Sequence, residues 1–268
     1  MRLVIFLALF SVTFSTSVMA FDAKDMELFE KTGSCQACDL RQVKIQYQVM
    51  KGANFKNAIL RDTLMKETNL EDADLSGADL RRADLEKSIL KNANLSGAIL
   101  RETDLEKSDL IGAQLNDADL RDADLENSVA TNSNFEDADL RKAYMKRGNF
   151  THANFSNAQM TESNLKRSIA KNAIFKNAKL KNATLTRADL EGADFSDTDL
   201  TLSNFYRANL TNADFSNARM NDAMLWRANL SGANFETVDN LEQSQFIGAC
   251  GNKETRLPDG LTVPDCVP

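Results

Sequence analysis

Residues 73–85 read ADLSGADLRRADL, a run of consecutive copies of one five-residue unit. A small residue opens each unit, a polar residue follows, a leucine is third, and two polar residues close it. The register is unbroken from Phe55 to Phe235, where every fifth residue is apolar and the residue two positions before it is small. Because one unit can bury its apolar pair only against its neighbours, the repeat predicts a solenoid.

A period of five fits neither a regular helix nor a strand. Apolar residues at this spacing would wind around an α-helix instead of forming one stripe. In a continuous strand they would alternate between the two faces. The spacing therefore predicts a chain that turns after every unit, with two side chains of each unit directed inward and three directed outward.

A second period, of twenty residues, predicts how many sides the coil has. Phenylalanine recurs at this spacing, whereas the neighbouring apolar centres are mostly leucine or methionine. The phenylalanines of this series are Phe135, Phe155, Phe175, Phe195, Phe215 and Phe235. Twenty residues correspond to four units, so the rings are expected to stack on one side of a four-sided coil.

One exception in the core pattern is consistent with four sides. Phe150 is preceded by Gly148 in place of alanine, and the only small centres, Ala130 and Ala170, lie twenty residues before and after it. Because protein cores are close-packed, an oversized ring requires undersized neighbours. We expect these four residues to form one compensated packing site across adjacent coils.

The units resemble those of the pentapeptide repeat family. The pattern small–Asp/Asn–Leu/Phe–x–x occurs as ADLRR at residues 78–82 and as ADFSN at 213–217, and it extends over residues 38–240. The resemblance implies an all-β solenoid, a right-handed quadrilateral β-helix of about ten coils and roughly 45–50 Å in length. Family members include proteins that imitate duplex DNA and bind topoisomerases.

Residues 1–20 have the pattern of a secretory signal peptide. Arg2 precedes an apolar stretch at residues 3–10, and small residues lead up to Ala20. We expect cleavage and export to a periplasm, a thylakoid-like lumen or the extracellular medium. The alternative is a retained signal anchor, but the apolar stretch is shorter than the ~20 residues of a spanning helix. No transmembrane segment is expected after cleavage.

Both ends of the repeat are expected to be capped. Residues 21–37 comprise a short amphipathic helix, with Asp22 as its N-cap and Gly33 as its stop, followed by a CxxC loop. Residues 241–268 form a C-terminal loop cap, in which Pro-Asp-Gly at 258–260 indicates a turn. Because capped solenoid ends do not associate, we expect a monomer.

All four cysteines lie outside the regular repeat. In an oxidising compartment the shortest loops would pair Cys35 with Cys38 and Cys250 with Cys266, although four cysteines allow three pairings. A thioredoxin-like redox pair at Cys35 and Cys38 would need a flanking strand and helix, whereas the solenoid opens at Cys38. A zinc site would need further ligands close by, and the two cysteine pairs lie at opposite ends of the rod.

The outward residues include no catalytic constellation. His152 is the single histidine and occupies an outward polar slot, where a solvated side chain is the common case. The sequence contains no glycine-rich phosphate loop, nucleophile elbow or histidine cluster. A filled interior also offers no pocket in which to desolvate a substrate. We expect neither an enzyme nor a bound cofactor or metal.

The net charge of −7 is unevenly distributed along the chain. Acids dominate residues 67–139, whereas residues 141–187 contain a single acid, Glu162. The basic residues of this second stretch are Arg141, Lys142, Lys146, Arg147, Lys166, Arg167, Lys171, Lys176, Lys179, Lys181 and Arg187. A solenoid keeps sequence blocks together as bands, so we predict a basic collar that docks an acidic protein or an anionic envelope polymer, not nucleic acid. The alternative is a solvated surface without a partner.

Three functions are compatible with these features. The favoured one is an exported, non-enzymatic scaffold that binds a macromolecule through one side of the rod. A DNA-mimicking topoisomerase (gyrase) inhibitor needs a cytoplasmic target and a continuous negative surface, which export and the basic collar oppose. A thiol–disulfide redox protein would use Cys35 and Cys38.

Overall fold

Successive coils of the chain are joined in parallel register with an offset of twenty residues. The residue before each apolar centre forms a β-bridge with its counterpart one coil later, as Asp79 does with Ile99 and Ile99 with Asp119. A typical contact is the hydrogen bond from Leu80 N–H to the Ile99 carbonyl, 2.8 Å long. The predicted fold is confirmed: the chain is a right-handed quadrilateral β-helix, an all-β solenoid.

The computed structural model describes residues 21–267, so the predicted signal peptide at 1–20 lies outside the described residues. Within the described chain the bridges are isolated single-residue contacts, and no longer strand forms. The reason is geometric, because the chain turns again before a second pair of residues can join the ladder.

Each unit ends in a tight turn whose last residue has left-handed backbone geometry. The turn is closed by the next small residue, for example by Ala83 N–H donating to the Leu80 carbonyl at 2.9 Å. The turn residue has a φ of 55° at Arg82 and 60° at Leu202. This conformation costs an L-residue roughly 1–2 kcal/mol, and no β-branched residue adopts it in the described chain.

The apolar centres fill the interior in four columns. Every centre from Phe55 to Phe235 is fully buried. In the column of phenylalanines that begins at Phe135, successive ring centroids lie 4.4–5.0 Å apart, with interplanar angles of 5–9°. Such stacked pairs add about 0.5–1.5 kcal/mol each beyond the area that they bury. The predicted twenty-residue column is therefore present and continuous.

Phe150 lies in a different column and turns its ring over Gly148. A Cβ atom added at Gly148 would lie 2.5 Å from Cε2 and 2.7 Å from Cζ of this ring. The offset of twenty residues places the fully buried Ala130 and Ala170 in the coils on either side of Phe150. The ring thus fits because its own turn lacks a side chain and the adjoining centres are short.

Helix α1, Ala23–Thr32, covers the N-terminal end of the rod. Asp22 caps its first turn and Gly33, with a φ of 67°, ends it, in agreement with the helix signals in the sequence. Phe29 packs on the first phenylalanine of the core, Phe55, with ring centroids 5.9 Å apart. The apolar side of the helix therefore closes the first coil.

The C-terminal end is covered by a short 3₁₀ helix, Gln243–Phe246, and by the chain that follows it. Phe246 packs edge-on against Phe235, with centroids 6.0 Å apart. The final segment returns to the rod through a bridge between Gly251 and Asp265. Between residues 21 and 267, neither helix has the length and apolar character needed to span a bilayer.

We expect Gly148→Ala to lower the free energy of unfolding by about 1–3 kcal/mol, because the new methyl group overlaps the Phe150 ring. The loss should be much smaller when Gly148→Ala is made in a Phe150→Leu background, where the ring is absent. Urea unfolding of the two single variants and the double variant measures the coupling. Equal losses in both backgrounds would contradict the packing described here.

Candidate functional site

Binding groups of a filled rod lie on its outward side chains, and the twenty-residue offset sorts these into columns. One side, which we call the charged face, carries the outward residues of one unit from each coil: the residue before the apolar centre and the two after it. Its centres include Leu85, Leu105, Leu125, Met145, Leu165, Leu185, Phe205 and Leu225.

The predicted basic collar is dispersed over all four sides of the rod, because consecutive units face in different directions. The collar residues on the charged face are Lys146, Arg147, Lys166, Arg167 and Arg187. Those on the other three sides are Arg141, Lys142, Lys171, Lys176, Lys179 and Lys181. The collar is therefore not one continuous surface, and its densest part belongs to the charged face.

Four basic side chains on the charged face surround one shallow cavity. Lys146, Arg147, Lys166 and Arg167 line about 190 Å³ of space. Two of them are partly neutralised, since Glu126 lies 3.4 Å from Lys146 Nζ and 3.0 Å from an Arg147 terminal nitrogen. Lys166 and Arg167 are exposed, and within residues 21–267 they have no carboxylate at ion-pair distance. The cavity therefore presents excess positive charge to solvent.

The charged face is acidic in the coils that precede this cavity. In the coils of Leu85, Leu105 and Leu125 its basic residues are Lys87 and Lys107, and its carboxylates are Asp84, Glu86, Asp104, Glu106, Asp124 and Glu126. Oxygen atoms of Asp84, Glu86 and Asp104 lie within 4.8 Å of one another, and Lys66 Nζ already pairs with Asp84 and Glu86 at this cluster. Burial and the charge of Asp84 raise the pKa of Asp104. Hydrogen bonds from Lys66 and Lys87 lower the pKa of Glu86 to about 2.

The sequence analysis named some of these arginines but missed that they form two rows, although the period of twenty that predicts the phenylalanine column would also have found the rows. The first, which we call the paired row, lies on the side next to the charged face: Arg41, Arg61, Arg81, Arg101, Arg121 and Arg141. The second, which we call the open row, lies on the charged face: Arg147, Arg167, Arg187, Arg207 and Arg227.

Aspartates neutralise the paired row. Asp79 stands between two of its arginines, with Arg61 Nε at 2.5 Å and Arg81 Nη2 at 2.8 Å. Burial opposes ionisation of Asp79, but hydrogen bonds from Arg81 and Arg61 prevail and lower its pKa. Asp119 bridges the next two arginines in the same way. This row is a ladder of ion pairs that joins coils and has little charge left for a partner.

Disulfides join Cys35 to Cys38 and Cys250 to Cys266. The first bridge is buried under helix α1, with Cys35 1% and Cys38 3% exposed. A redox-active pair needs an accessible sulfur for thiolate attack, so this burial opposes the redox hypothesis and favours a structural bridge. Asp25 lies near both sulfurs, but the bonded cysteines have no thiolate to offer a metal.

The distribution of charge also opposes DNA mimicry. A mimic of duplex DNA presents continuous negative charge along its length. In this protein the arginines of the paired row lie among the acidic residues of the N-terminal half of the rod. On the charged face, the coils after Glu126 carry the arginines of the open row in place of carboxylates. The structure is therefore a solenoid scaffold whose charged face is acidic in its N-terminal coils and basic in its C-terminal coils.

Comparison with known proteins establishes the family. The family model described as pentapeptide repeats matches residues 49–86, 88–127, 118–157 and 131–167. The model described as pentapeptide repeat region matches residues 168–246. These matches cover more than half of the chain, which belongs to the pentapeptide repeat family. No curated protein matches it.

Several solved structures are similar to the chain. HetL, a pentapeptide repeat protein involved in heterocyst differentiation regulation from the cyanobacterium Nostoc sp. strain PCC 7120, is 24% identical over 80% of this chain and 96% of its own, with a TM-score of 0.45. QnrB1, a plasmid-mediated fluoroquinolone resistance protein, is 16% identical over 79% of this chain and 92% of its own, with a TM-score of 0.46. A pentapeptide repeat protein from the thylakoid lumen of Arabidopsis thaliana is 28% identical over 40% of this chain and 70% of its own, with a TM-score of 0.33.

We expect Asp104→Asn to raise the melting temperature at about pH 7 by roughly 2–4 °C. The folded-state pKa of Asp104 is raised above 3.8, so the folded chain holds the proton more tightly than the unfolded chain. The proton on Asp104 therefore stabilises the folded chain fully at a pH below 3.8, the unfolded-state pKa. This stabilisation is lost as the pH rises through the higher folded-state pKa. The asparagine variant has no charge at this position at any pH. Its higher melting temperature should therefore disappear at about pH 3, where Asp104 of the unaltered protein is also uncharged.

Asp84→Asn is the control for this prediction. Asp84 lies 3.3 Å from Lys66 Nζ, so its amide variant loses an ion pair along with the repulsion from Asp104, and the two effects offset each other. Its melting temperature should not rise at neutral pH. An equal rise in both variants would show that the repulsion is spread evenly over the acidic column and is not concentrated at Asp104.

Protein prepared under oxidising conditions and then denatured should contain no reactive thiol, because all four cysteines are bonded. Reduction should release four. Titration with a chromogenic disulfide reagent before and after reduction measures both values. Four thiols before reduction would rule out the bridges and reopen the redox and metal hypotheses for Cys35 and Cys38.

Proposed function

We propose that this protein is an exported, non-enzymatic scaffold that binds an acidic macromolecule through its charged face. The observation that carries the proposal is the cavity lined by Lys146, Arg147, Lys166 and Arg167, where excess positive charge is concentrated on one side of the rod. Such a concentration steers an acidic partner to one surface and orients it there.

The construction of the rod supports a scaffold in preference to an enzyme. Its interior is filled by fully buried leucine and phenylalanine side chains, so binding groups are confined to the outward slots. One cavity of about 340 Å³, under helix α1, is lined by residues such as Met26, Phe29 and Val49. Its lining also includes Glu30, Lys44 and Gln48. Within residues 21–267 Glu30 and Lys44 form no ion pair with each other, so the cavity contains no nucleophile paired with a base.

Two features support export. The pattern of residues 1–20 is that of a cleaved signal peptide. Two disulfides, one at each end of the rod, are typical of proteins in oxidising compartments. A periplasm, a thylakoid-like lumen and the extracellular medium all satisfy both features.

The test is retention of residues 21–268 on heparin and on immobilised polyglutamate. We expect retention above physiological salt on at least one support, in spite of the net negative charge of the chain. Lys166→Glu combined with Arg167→Glu should abolish it, since both residues line the basic cavity.

The matched control is Lys176→Glu combined with Lys179→Glu, which changes the net charge equally on two other sides of the rod. This control should elute close to the unaltered protein. The proposal fails if neither support retains the protein, or if the control loses retention as completely as the cavity variant.

A further inference from the structure

The open row sets five arginines at equal steps along the rod. Each closes the unit of the charged face in its coil, each has a φ of 54–60°, and all five are exposed. The parallel register stacks the coils at one strand spacing, about 4.8 Å, so the row is roughly 19 Å long. Because the five residues share one backbone conformation, their Cα–Cβ bonds point in the same direction.

The open row differs from the paired row in its lack of counter-charge. Arg147, at its lower end, lies 3.0 Å from Glu126. For the other four arginines, residues 21–267 provide no carboxylate within 4.0 Å. Like charges one coil apart repel one another, and within residues 21–267 no ion pair offsets the repulsion among these four arginines. A ligand with anionic groups at a similar spacing would relieve it at every step.

Aromatic side chains flank the upper part of the row. Tyr206 lies beside Arg207, whose guanidinium carbon is 5.3 Å from the centroid of the ring. Trp226 lies beside Arg227, is 39% exposed, and donates its indole N–H to the Ser244 carbonyl at 3.1 Å. That hydrogen bond fixes the indole, which lines a surface depression of about 230 Å³ with Met224 and Ile247. Flat apolar surfaces therefore alternate here with positive charge.

We infer that the charged face binds a linear anionic polysaccharide that lies along the rod. This assignment rests on the proposed function and names the class of its partner. A pyranose in an extended chain advances by nearly the rise of one coil, but successive rings turn their anionic groups to alternate edges of the chain. The exposed arginine side chains are long enough to bend toward either edge, so that each sugar meets one arginine. The apolar faces of the sugar rings pack on Tyr206 and Trp226, as amphipathic ligands do on aromatic side chains.

Other acidic polymers match the row less well. In an extended peptide, acidic side chains recur at about 3.3–3.4 Å counted over both sides and at about 6.6–6.8 Å on one side, and neither spacing matches arginines about 4.8 Å apart. In duplex DNA, the phosphates of one strand advance by about 3.4 Å along the axis and wind away from a linear row. The spacing of the open row thus favours the polysaccharide over an acidic peptide or a nucleic acid.

The test is calorimetric titration of residues 21–268 with oligogalacturonates of increasing length at physiological salt. Affinity should rise with length until the oligomer spans the open row, at about five sugars, and should then level off. Arg187→Gln combined with Arg207→Gln should weaken binding of the longest oligomer at least tenfold, as expected for two lost charge-assisted contacts.

The paired row supplies the matched control. Arg61→Gln combined with Arg101→Gln removes the same charge from arginines already held by aspartates, and binding should change less than about twofold. Melting curves of both double variants establish that each is folded. Equal weakening by the two double variants, or an affinity independent of oligomer length, would overturn the inference.

Polyglutamate and a thymidine oligonucleotide of matched charge identify the class of ligand. Weaker binding of both than of the galacturonate polymer supports the inference. Tighter binding of either overturns the polysaccharide assignment and leaves the proposed function standing. Absence of binding to all three polymers overturns the inference, and only together with a lack of retention on heparin would it overturn the proposed function itself.

Discussion

The structure depends on one repeated interaction, the backbone hydrogen bonds that join each unit to its counterparts in the adjoining coils. Asp84 N–H donates to the Thr63 carbonyl at 2.9 Å, and Leu85 N–H donates to the Asp104 carbonyl at 2.8 Å, so one unit is held from both sides. These bonds keep the turn residues left-handed even where they are arginine or leucine. They also determine which side chains meet, because residues in equal slots lie one above another.

Equal slots impose different conditions inside and outside the rod. Inside, an oversized side chain must be accommodated along its column or in its own turn, as Phe150 is by Gly148. Outside, a charge that recurs every twenty residues lies beside its own copies, at about 4.8 Å. Asp79 separates Arg61 from Arg81 in the paired row. In the open row, no carboxylate of the described chain lies between the arginines that follow Arg147. The paired row therefore stabilises neighbouring coils, whereas the open row is a surface suited to a ligand.

The interior could be predicted from the sequence because its residues serve a single purpose. Leucine, phenylalanine and alanine at fixed spacing predict the coil, the stacked rings and the site around Phe150, and Asp22 and Gly33 predict the limits of helix α1. The charged face could not be read from local composition, because the basic block at 141–187 passes over all four sides. Which arginines meet an aspartate depends on side-chain conformations across coils, and a linear pattern does not contain them.

The offset of twenty residues also sets the unit in which such a rod can evolve. Insertion or loss of a whole coil would change the length of every row and move none to another side. Loss of a single unit between Arg141 and Arg147 would instead rotate the rest of the rod by a quarter turn. The open row would then continue on the side of the paired row but one slot further from the apolar centre, so that both arginine rows would lie on one side of the rod in neighbouring columns. A short deletion can thus redraw the surface of this protein while its interior, which repeats every five residues, remains continuous.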